Sequence, residues 1–333
     1  MEPLNMSTRN LALIGAGYWG KNLARNFNAL GALHTLCDLS AEILASYGDE
    51  YAGVRKTREM DALWQDAAIA SVAIAAPAEY HFRLAKAALL AEKDVYVEKP
   101  LCLQAVEAEE LVGLARERGR ILMVGHLLQY HPMVRHLHAW VEQGELGELR
   151  YIASHRLSLG KFRREENVLW SFAPHDLSVI LSLAGNREPE NVFCAGGSFL
   201  TRGVEDTVVT QLAFSGGLRA HVYANWLNPF KEQKLAVVGS KAMAVFDDTK
   251  PWAEKLAIYR GGVEEGPNGP SPKKVAPEFA NVAEAEPLRA ECRHFLDCCQ
   301  DRSTPRTDGA EGLRVLRVLQ KAQASLVAQQ QPK

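Results

Sequence analysis

The sequence predicts an α/β part with a doubly wound parallel sheet, followed by an α+β part with an open, mostly antiparallel sheet. Three observations carry this. The first ~125 residues alternate short apolar runs with helical stretches, the pattern of successive βαβ crossovers. A glycine-rich turn follows the first apolar run. From Asn191 onward the apolar runs are separated by tight glycine turns and no longer by helices. The division predicted is residues 1–127 and 128–333, with a C-terminal helix able to return to the first part.

Taken in order, Leu11–Ile14 is a buried strand ending in glycines, and 18–30 is a helix closed by Gly31. Leu33–Cys37 is a second strand that ends at Asp38. The runs 71–75, 94–98 and 121–124 are further strands, the first two stopped by Pro77 and Pro100. Helices fit at 78–91 and 103–118. In the second part, 149–157 is a strand and a helix runs from about His175 to Ala184, closed by Gly185. The runs 207–214 and 218–226 flank Ser215-Gly216-Gly217, and 235–238 and 242–246 flank Gly239-Ser240-Lys241; both read as hairpins. A strand at 256–259, a Gly/Pro-rich connection at 261–287 that reads as a loop or lid, and helices near 288–299 and 309–327 complete the chain.

Composition narrows the function. The 333 residues carry 38 Lys plus Arg against 40 Asp plus Glu, a net charge of −2, which gives no general attraction to nucleic acid. No apolar run approaches the ~18 residues of a membrane span, and the first residues lack the apolar core of a signal peptide, so a cytoplasmic protein is expected. The six cysteines form no C-x-x-C pair and read as reduced, small hydrophobes. His131, His136 and His138 lack the spacing of a metal site and fit a helix better, so no metal is expected.

Gly15-Ala16-Gly17-Tyr18-Trp19-Gly20 is a G-x-G-x-x-G that follows a strand, opens a helix and has Asp38 at the end of the next strand, 18 residues past Gly20. That context marks a dinucleotide-binding Rossmann domain. Gly15 permits the tight turn, Gly17 lets backbone approach a pyrophosphate, and Gly20 lets helix and strand pack closely. The helix N-terminus supplies N–H donors and positive dipole for the phosphates. A carboxylate at Asp38 suits a free ribose 2′-hydroxyl and repels a 2′-phosphate, and no Arg or Lys follows it in Leu39-Ser40-Ala41-Glu42, so the cofactor expected is NAD.

Lys99 directly follows the strand 94–98, between Glu98 and Pro100, where an open α/β sheet binds its ligands. Glu98-Lys99-Pro100 resembles the E-K-P motif of the Gfo/Idh/MocA oxidoreductases, a likeness that extends over essentially the whole chain. The resemblance implies a Lys-Pro peptide that is often cis and a lysine that contacts substrate and nicotinamide. It implies cofactor contacts from Gly15, Gly17, Tyr18, Trp19, Gly20, Asp38, Ala76, Pro77, His81, Glu98, Lys99 and Pro100.

A second signature is Leu169-Trp170-Ser171-Phe172-Ala173-Pro174-His175-Asp176. Family members commonly carry Asp four residues before the His; here Ser171 stands in that place and cannot be a carboxylate base, which moves weight to His175. In a helix Ser171 and His175 share a face. With His175 in a first turn, the dipole disfavours the imidazolium and keeps the ring a base near pH 7. The roles expected are His175 as proton acceptor and Lys99 as stabiliser of the reacting oxygen, or Lys99 itself as base.

The wording of 15–22, 168–176, 224–229 and 238–241 is similar to the nucleotide-sugar 3-dehydrogenases of that family. This implies oxidation at C3 of a UDP-linked amino sugar, UDP-N-acetylglucosamine before its uronic acid. The 3-keto product would feed a pyridoxal-phosphate aminotransferase making 3-amino sugars for lipid A or another surface glycan. Lys99, Tyr130, Arg156, Lys161, Arg163, Ser171, His175, Asn225 and Trp226 are the substrate-site candidates; an arginine fork suits a diphosphate, and Trp226 could stack on a base, although core packing also explains it. Other readings are an inositol or free-sugar dehydrogenase, a glycosidase that holds NAD, and a non-catalytic sensor of NAD or a sugar nucleotide. A homodimer or homotetramer formed through the open sheet is expected, with Val208, Leu212, Phe214 and Val222 as compatible residues.

Overall fold

The computed structural model describes residues 9–160 and 162–330. They form two compact units: residues up to Leu127 together with Glu286–Leu316, and Leu128–Ala285 together with Arg317 onward.

The first unit runs β1 (Leu11–Ile14), α1 (Gly20–Ala29), β2 (Leu33–Cys37), α2 (Ala41–Ala45), β3 (Arg55–Thr57), α3 (Asp61–Gln65), β4 (Ser71–Ile74), α4 (His81–Leu90), β5 (Asp94–Glu98), α5 (Ala105–Arg118) and β6 (Leu122–Gly125). Among the described residues the strands form one parallel sheet ordered β3-β2-β1-β4-β5-β6. This is the doubly wound order, with its switch point between β1 and β4. Every residue of β1, β4, β5 and β6 is buried, as expected for strands covered on both faces. The short elements α2, β3 and α3 were not apparent in the sequence, because β3 is Arg-Lys-Thr with no buried residue and the two helices have five residues each.

The second unit runs α6 (Pro132–Glu142), β7 (Leu149–Leu159), α7 (Val168–Leu183), β8 (Asn191–Gly197), β9 (Thr207–Ala213), β10 (Arg219–Asn225), β11 (Leu227–Gly239), β12 (Ala242–Asp247), β13 (Leu256–Arg260), β14 (Val263–Gly266), β15 (Gly269–Pro272) and β16 (Glu278–Phe279). Its main sheet is ordered β16-β13-β12-β11-β7-β10-β9-β8. It is mixed: β7 and β10 pair parallel and the other neighbours antiparallel. The connection expected to be a loop or lid carries the β14–β15 hairpin, entered through Gly261 and Gly262 at positive φ. Helix α7 packs on β7, β9 and β10. Val208, Leu212, Phe214 and Val222 are buried, so they belong to the core and not to an open face. Tyr151, His155, His221 and Tyr223 instead form one ring cluster on β7 and β10, on the side away from α7.

Two C-terminal helices follow, α8 (Pro287–Asp301) and α9 (Gly309–Gln330). Helix α8 packs on α1 within the first unit. Phe27 of α1, Tyr96 of β5 and Phe295 of α8 meet edge to face with centroids 5.8–6.4 Å apart, and all three are fully buried. Such pairs are worth ~0.5–1.5 kcal/mol beyond the area they bury. Arg302, just past α8, forks onto Asp94 at the start of β5 with contacts of 2.6 and 3.0 Å. Helix α9 lies in the first unit as far as Leu316 and in the second from Arg317. Among the described residues no helix is long and apolar enough to cross a membrane.

Glu291 of α8 is buried among these groups. Burial, and then the charge of Glu98, push its carboxyl well above the ordinary range, so the folded unit keeps a proton that an unfolded chain releases near pH 4.5. The contribution of this one carboxyl to stability is therefore greatest below that pH and declines as pH rises toward the folded pKa, by up to ~1.4 kcal/mol per pH unit for one proton. Glu291→Gln, neutral at every pH, is expected to flatten this decline. Thermal unfolding midpoints between pH 6 and 9 check it: parallel pH slopes for wild type and variant would show that Glu291 is ionised in the fold.

Candidate active site

The cofactor end of the first unit is made largely of backbone. Gly15 has φ +85°, and a Cβ there would lie 2.7 Å from the backbone of Ala75 and Ala76. A Cβ on Gly20 would lie 1.9 Å from the Gly15 carbonyl oxygen. Gly17 differs: a Cβ would meet only the Ile43 side chain at 3.8 Å, so its surface is open to a ligand. Trp19 occupies the N-cap of α1 and gives no side-chain cap, which leaves the first-turn N–H groups for an anion.

Asp38 ends the strand beside this turn. Its Oδ2 accepts from Ala16 N–H at 2.8 Å and its Oδ1 from Ser40 N–H at 2.9 Å. A carboxylate has about four lone-pair sites, so it can still accept a ribose diol. Tyr47 braces the turn by donating to the Ala16 carbonyl at 2.7 Å, and burial pushes that phenol up to about 12. The open Gly17 surface, the uncapped helix start and the Asp38 carboxylate together fit a dinucleotide. Sequence proximity missed Arg58, which follows β3 and donates to the Leu39 carbonyl at 2.9 Å. It sits 20 residues from Asp38 in the chain, and the β2–β3 pairing brings it near.

The Lys99–Pro100 peptide is cis. Lys99 is half-buried and Pro100 buried. His81 fixes this corner: Nδ1 lies 2.7 Å from the Pro100 carbonyl and Nε2 2.8 Å from the Ala76 carbonyl. The imidazole is 1% exposed; burial lowers its pKa, while the two carbonyls raise it, since only the doubly protonated ring donates to both and the neutral ring donates to one. His81 therefore joins the loop after β4, where Ala76 and Pro77 lie, to the turn after β5. Tyr18 is strongly exposed beside Gly17. Glu98 is buried and accepts from the Tyr96 hydroxyl at 3.0 Å and from the Trp19 indole.

In the second unit the signature helix begins earlier than the sequence indicated. Asn167 caps it by accepting from Trp170 N–H at 3.3 Å, and Pro174 lies inside it. His175 is thus two turns in, beyond the reach of the dipole, which fades within the first turn. The helix dipole does not supply the reason for a neutral ring. Ser171 is buried and His175 half-buried, and the two do share a face.

Arg156 is not presented to a phosphate. Its Nε and Nη2 hold Asp176 at 2.5 and 3.1 Å, and the Ser154 hydroxyl donates to the same carboxylate at 2.7 Å. This buried fork fastens β7 to α7 at the residue after His175. Its sequence signal was present but unread: Ser154 and Arg156 alternate on one strand face, and Asp176 adjoins the histidine. Arg163 is half-exposed and pairs with Glu166 at 3.1 Å; Lys161 lies outside the described residues. Trp226 is fully buried, donates to Asp206 at 2.5 Å and meets Phe162 and Phe172 edge to face, so it is core and offers no free ring to a base. Asn225 donates to the Tyr223 hydroxyl at 3.0 Å and accepts from Leu227 N–H at 2.7 Å. Tyr130 is buried ahead of His131, which caps α6. Among the described residues no group of three His, Cys, Asp or Glu side chains is placed to hold a metal.

A parallel sheet of this order with this turn defines a dinucleotide-binding domain, and the family models narrow it to an NAD-binding oxidoreductase. Residues 9–126 match the oxidoreductase family with an NAD-binding Rossmann fold, and residues 134–245 match the GFO/IDH/MocA C-terminal domain. The chain belongs to the Gfo/Idh/MocA oxidoreductase family. It is 28% identical over 305 residues to UDP-N-acetylglucosamine 3-dehydrogenase of Acidithiobacillus ferrooxidans, covering 91% of this chain and 93% of that one. The solved structure of that protein superposes with a TM-score of 0.83, at 27% identity, over 96% of this chain and 98% of the other. It is also 29% identical over 222 residues to trans-1,2-dihydrobenzene-1,2-diol dehydrogenase of Bos taurus, covering 64% and 63% of the two chains. The fold is shared with GenD2 from gentamicin A biosynthesis in complex with NAD, at a TM-score of 0.80 and 20% identity over 99% and 97% of the chains.

Cofactor choice is testable at Asp38. Wild-type protein is expected to bind NAD at least about tenfold more tightly than NADP, since the carboxylate repels a 2′-phosphate. Asp38→Ala should narrow that ratio, because Arg58 remains. Fluorescence titration with both reduced cofactors measures it; equal affinities in the wild type would refute the assignment to Asp38.

Proposed function

We propose that the enzyme oxidises the C3 hydroxyl of a UDP-linked amino sugar, UDP-N-acetylglucosamine before its uronic acid, to the 3-keto sugar nucleotide. The observation that carries this reading is the similarity to UDP-N-acetylglucosamine 3-dehydrogenase, which spans both units and 93% of that protein. A 3-keto sugar nucleotide is a carbonyl acceptor for amino transfer. A pyridoxal-phosphate aminotransferase is therefore the downstream reaction we assign, toward a 3-amino sugar.

When bound, the nicotinamide supplies the hydride acceptor for the hydrogen on C3. His175 takes the hydroxyl proton, and Lys99 donates to the same oxygen and stabilises its developing negative charge. Ser171, on the His175 face of α7, is assigned to hydrogen bonding with the sugar, because a hydroxyl cannot serve as the carboxylate base that the family resemblance implies at that place. Asp176 holds no base role, since Arg156 and Ser154 occupy its carboxylate. Tyr130, Arg163 and Asn225 remain substrate-side candidates. Self-association as a dimer or tetramer is assigned to the outer face of the main sheet, where Tyr151, His155, His221 and Tyr223 lie.

Incubation with NAD and a panel of UDP-sugars, free sugars and inositol tests the substrate. The expected product is a UDP-sugar two hydrogens lighter by mass spectrometry. Oxidation of inositol or glucose with none of any UDP-sugar would overturn the reading. Within the leading case, His175→Ala is expected to lower turnover ~10²–10⁴-fold. Nearly full turnover in that variant would transfer the base role to Lys99.

A further inference from the structure

Beside the NAD turn lies a group of buried acids that hydride transfer does not use. Glu98 closes β5, immediately before Lys99. Its carboxyl accepts from the Tyr96 hydroxyl at 3.0 Å, from the Trp19 indole and from the Lys99 backbone N–H. Glu291 of α8 is 1% exposed; it adjoins the Tyr96 hydroxyl and feels the charges of Glu98 and of Glu311 in α9. Neither Glu291 oxygen has a hydrogen bond of ordinary geometry. Glu311 itself is held by His126 Nδ1 at 2.6 Å. The space is kept clear at Gly125 of β6, where a Cβ would lie 2.6 Å from the Tyr96 hydroxyl and 2.9 Å from Glu98 Oε2.

We propose that Glu98 is a positioning residue for the dinucleotide, holding the Trp19 ring and through it the fingerprint turn, and that Glu291 acts through Tyr96 to keep Glu98 an acceptor. Trp19 is the N-cap of α1, so fixing its ring fixes the backbone that presents N–H donors to the pyrophosphate. Tyr96 has one hydroxyl proton and two carboxyls near it. An ionised Glu291 would compete for that hydrogen bond; a neutral one leaves the hydroxyl donating to Glu98 and can itself donate to the Tyr96 oxygen. Burial without a hydrogen-bonded partner is the condition that keeps a carboxyl protonated. Burial raises the Glu98 carboxyl as well, but the hydrogen bonds from Trp19 and Tyr96, and then the charge of Lys99, pull it back toward the anion, the form that accepts best. The two acids thus divide the roles: one holds the proton and the other receives hydrogen bonds. This inference rests on NAD binding by the first unit and is independent of which sugar is oxidised.

Isothermal titration with NAD and with ADP-ribose, which keeps the pyrophosphate but lacks nicotinamide, tests it. Trp19→Phe and Glu98→Ala should each weaken both ligands about tenfold, the worth of a hydrogen bond to a charged group. The double variant should be no weaker than the worse single one, because both remove the same link. Glu291→Leu should also weaken both ligands, and Glu291→Gln, whose amide can still donate to Tyr96, should restore them. Additive losses in the double variant would overturn the proposal. So would a loss confined to NAD, which would place Glu98 at the nicotinamide, or equal affinities for Glu291→Leu and Glu291→Gln. Trp19 is partly exposed, so Trp19→Phe decides the question even if Glu98→Ala does not fold.

Discussion

The cofactor end of the first unit depends on backbone meeting backbone at Gly15 and Gly20. With a Cβ at Gly20, α1 would be pushed off the Gly15 carbonyl; with one at Gly15, β1 would be pushed off the end of β4. Both contacts lie at the switch point of the sheet, where the strand order reverses and a crevice opens. Asp38 and Tyr47 then hold Ala16, between the first two glycines, from its N–H and its carbonyl. The anion site is therefore a rigid backbone surface already in place before a ligand arrives, which lowers the ordering that binding must pay for.

The second unit is built differently. Its fixed points are buried side-chain networks that join α7 to the sheet and to the end of α9. Asp176 with Arg156 and Ser154 is one. Another is Asn167, which reaches Glu205 at 2.5 Å and Gln323 at 2.9 Å, while the Trp170 indole donates to the same Gln323. Asp206 is a third, taking the Trp226 indole together with the N–H groups of Phe199 and Leu200. Removing one partner from such a group leaves a buried charge or dipole unsatisfied, so each network fixes a register as well as adding stability.

This contrast explains what was legible in the sequence. The strands of the first sheet are continuous apolar runs, and Leu33–Cys37 and Asp94–Glu98 occur at the bounds the pattern indicated. The fingerprint was legible because glycine is demanded by backbone geometry, and that demand is local. The parallel pairing of β7 with β10 was not legible, since partners 68 residues apart leave no mark in a local pattern. The start of α7 was not legible either: the helix expected from about His175 begins at Asn167, and Pro174 is carried inside it. Arg156 was misread for a related reason. A lone arginine in a sequence suggests a ligand, but its carboxylate partner lies 20 residues later on another element.

The same networks bear on how a serine can stand where the family resemblance implies a carboxylate. An Asp at position 171 would lie one helical turn before His175 and would favour the imidazolium, making the ring a weaker base. With Ser171 that charge is absent, while the neighbouring charge at Asp176 is already neutralised by Arg156. The face of α7 that carries Ser171 and His175 therefore presents a hydroxyl and an imidazole with no uncompensated carboxylate of its own. A neutral histidine is the form that can accept a hydroxyl proton. On this reasoning Ser171 is compatible with the base role proposed for His175.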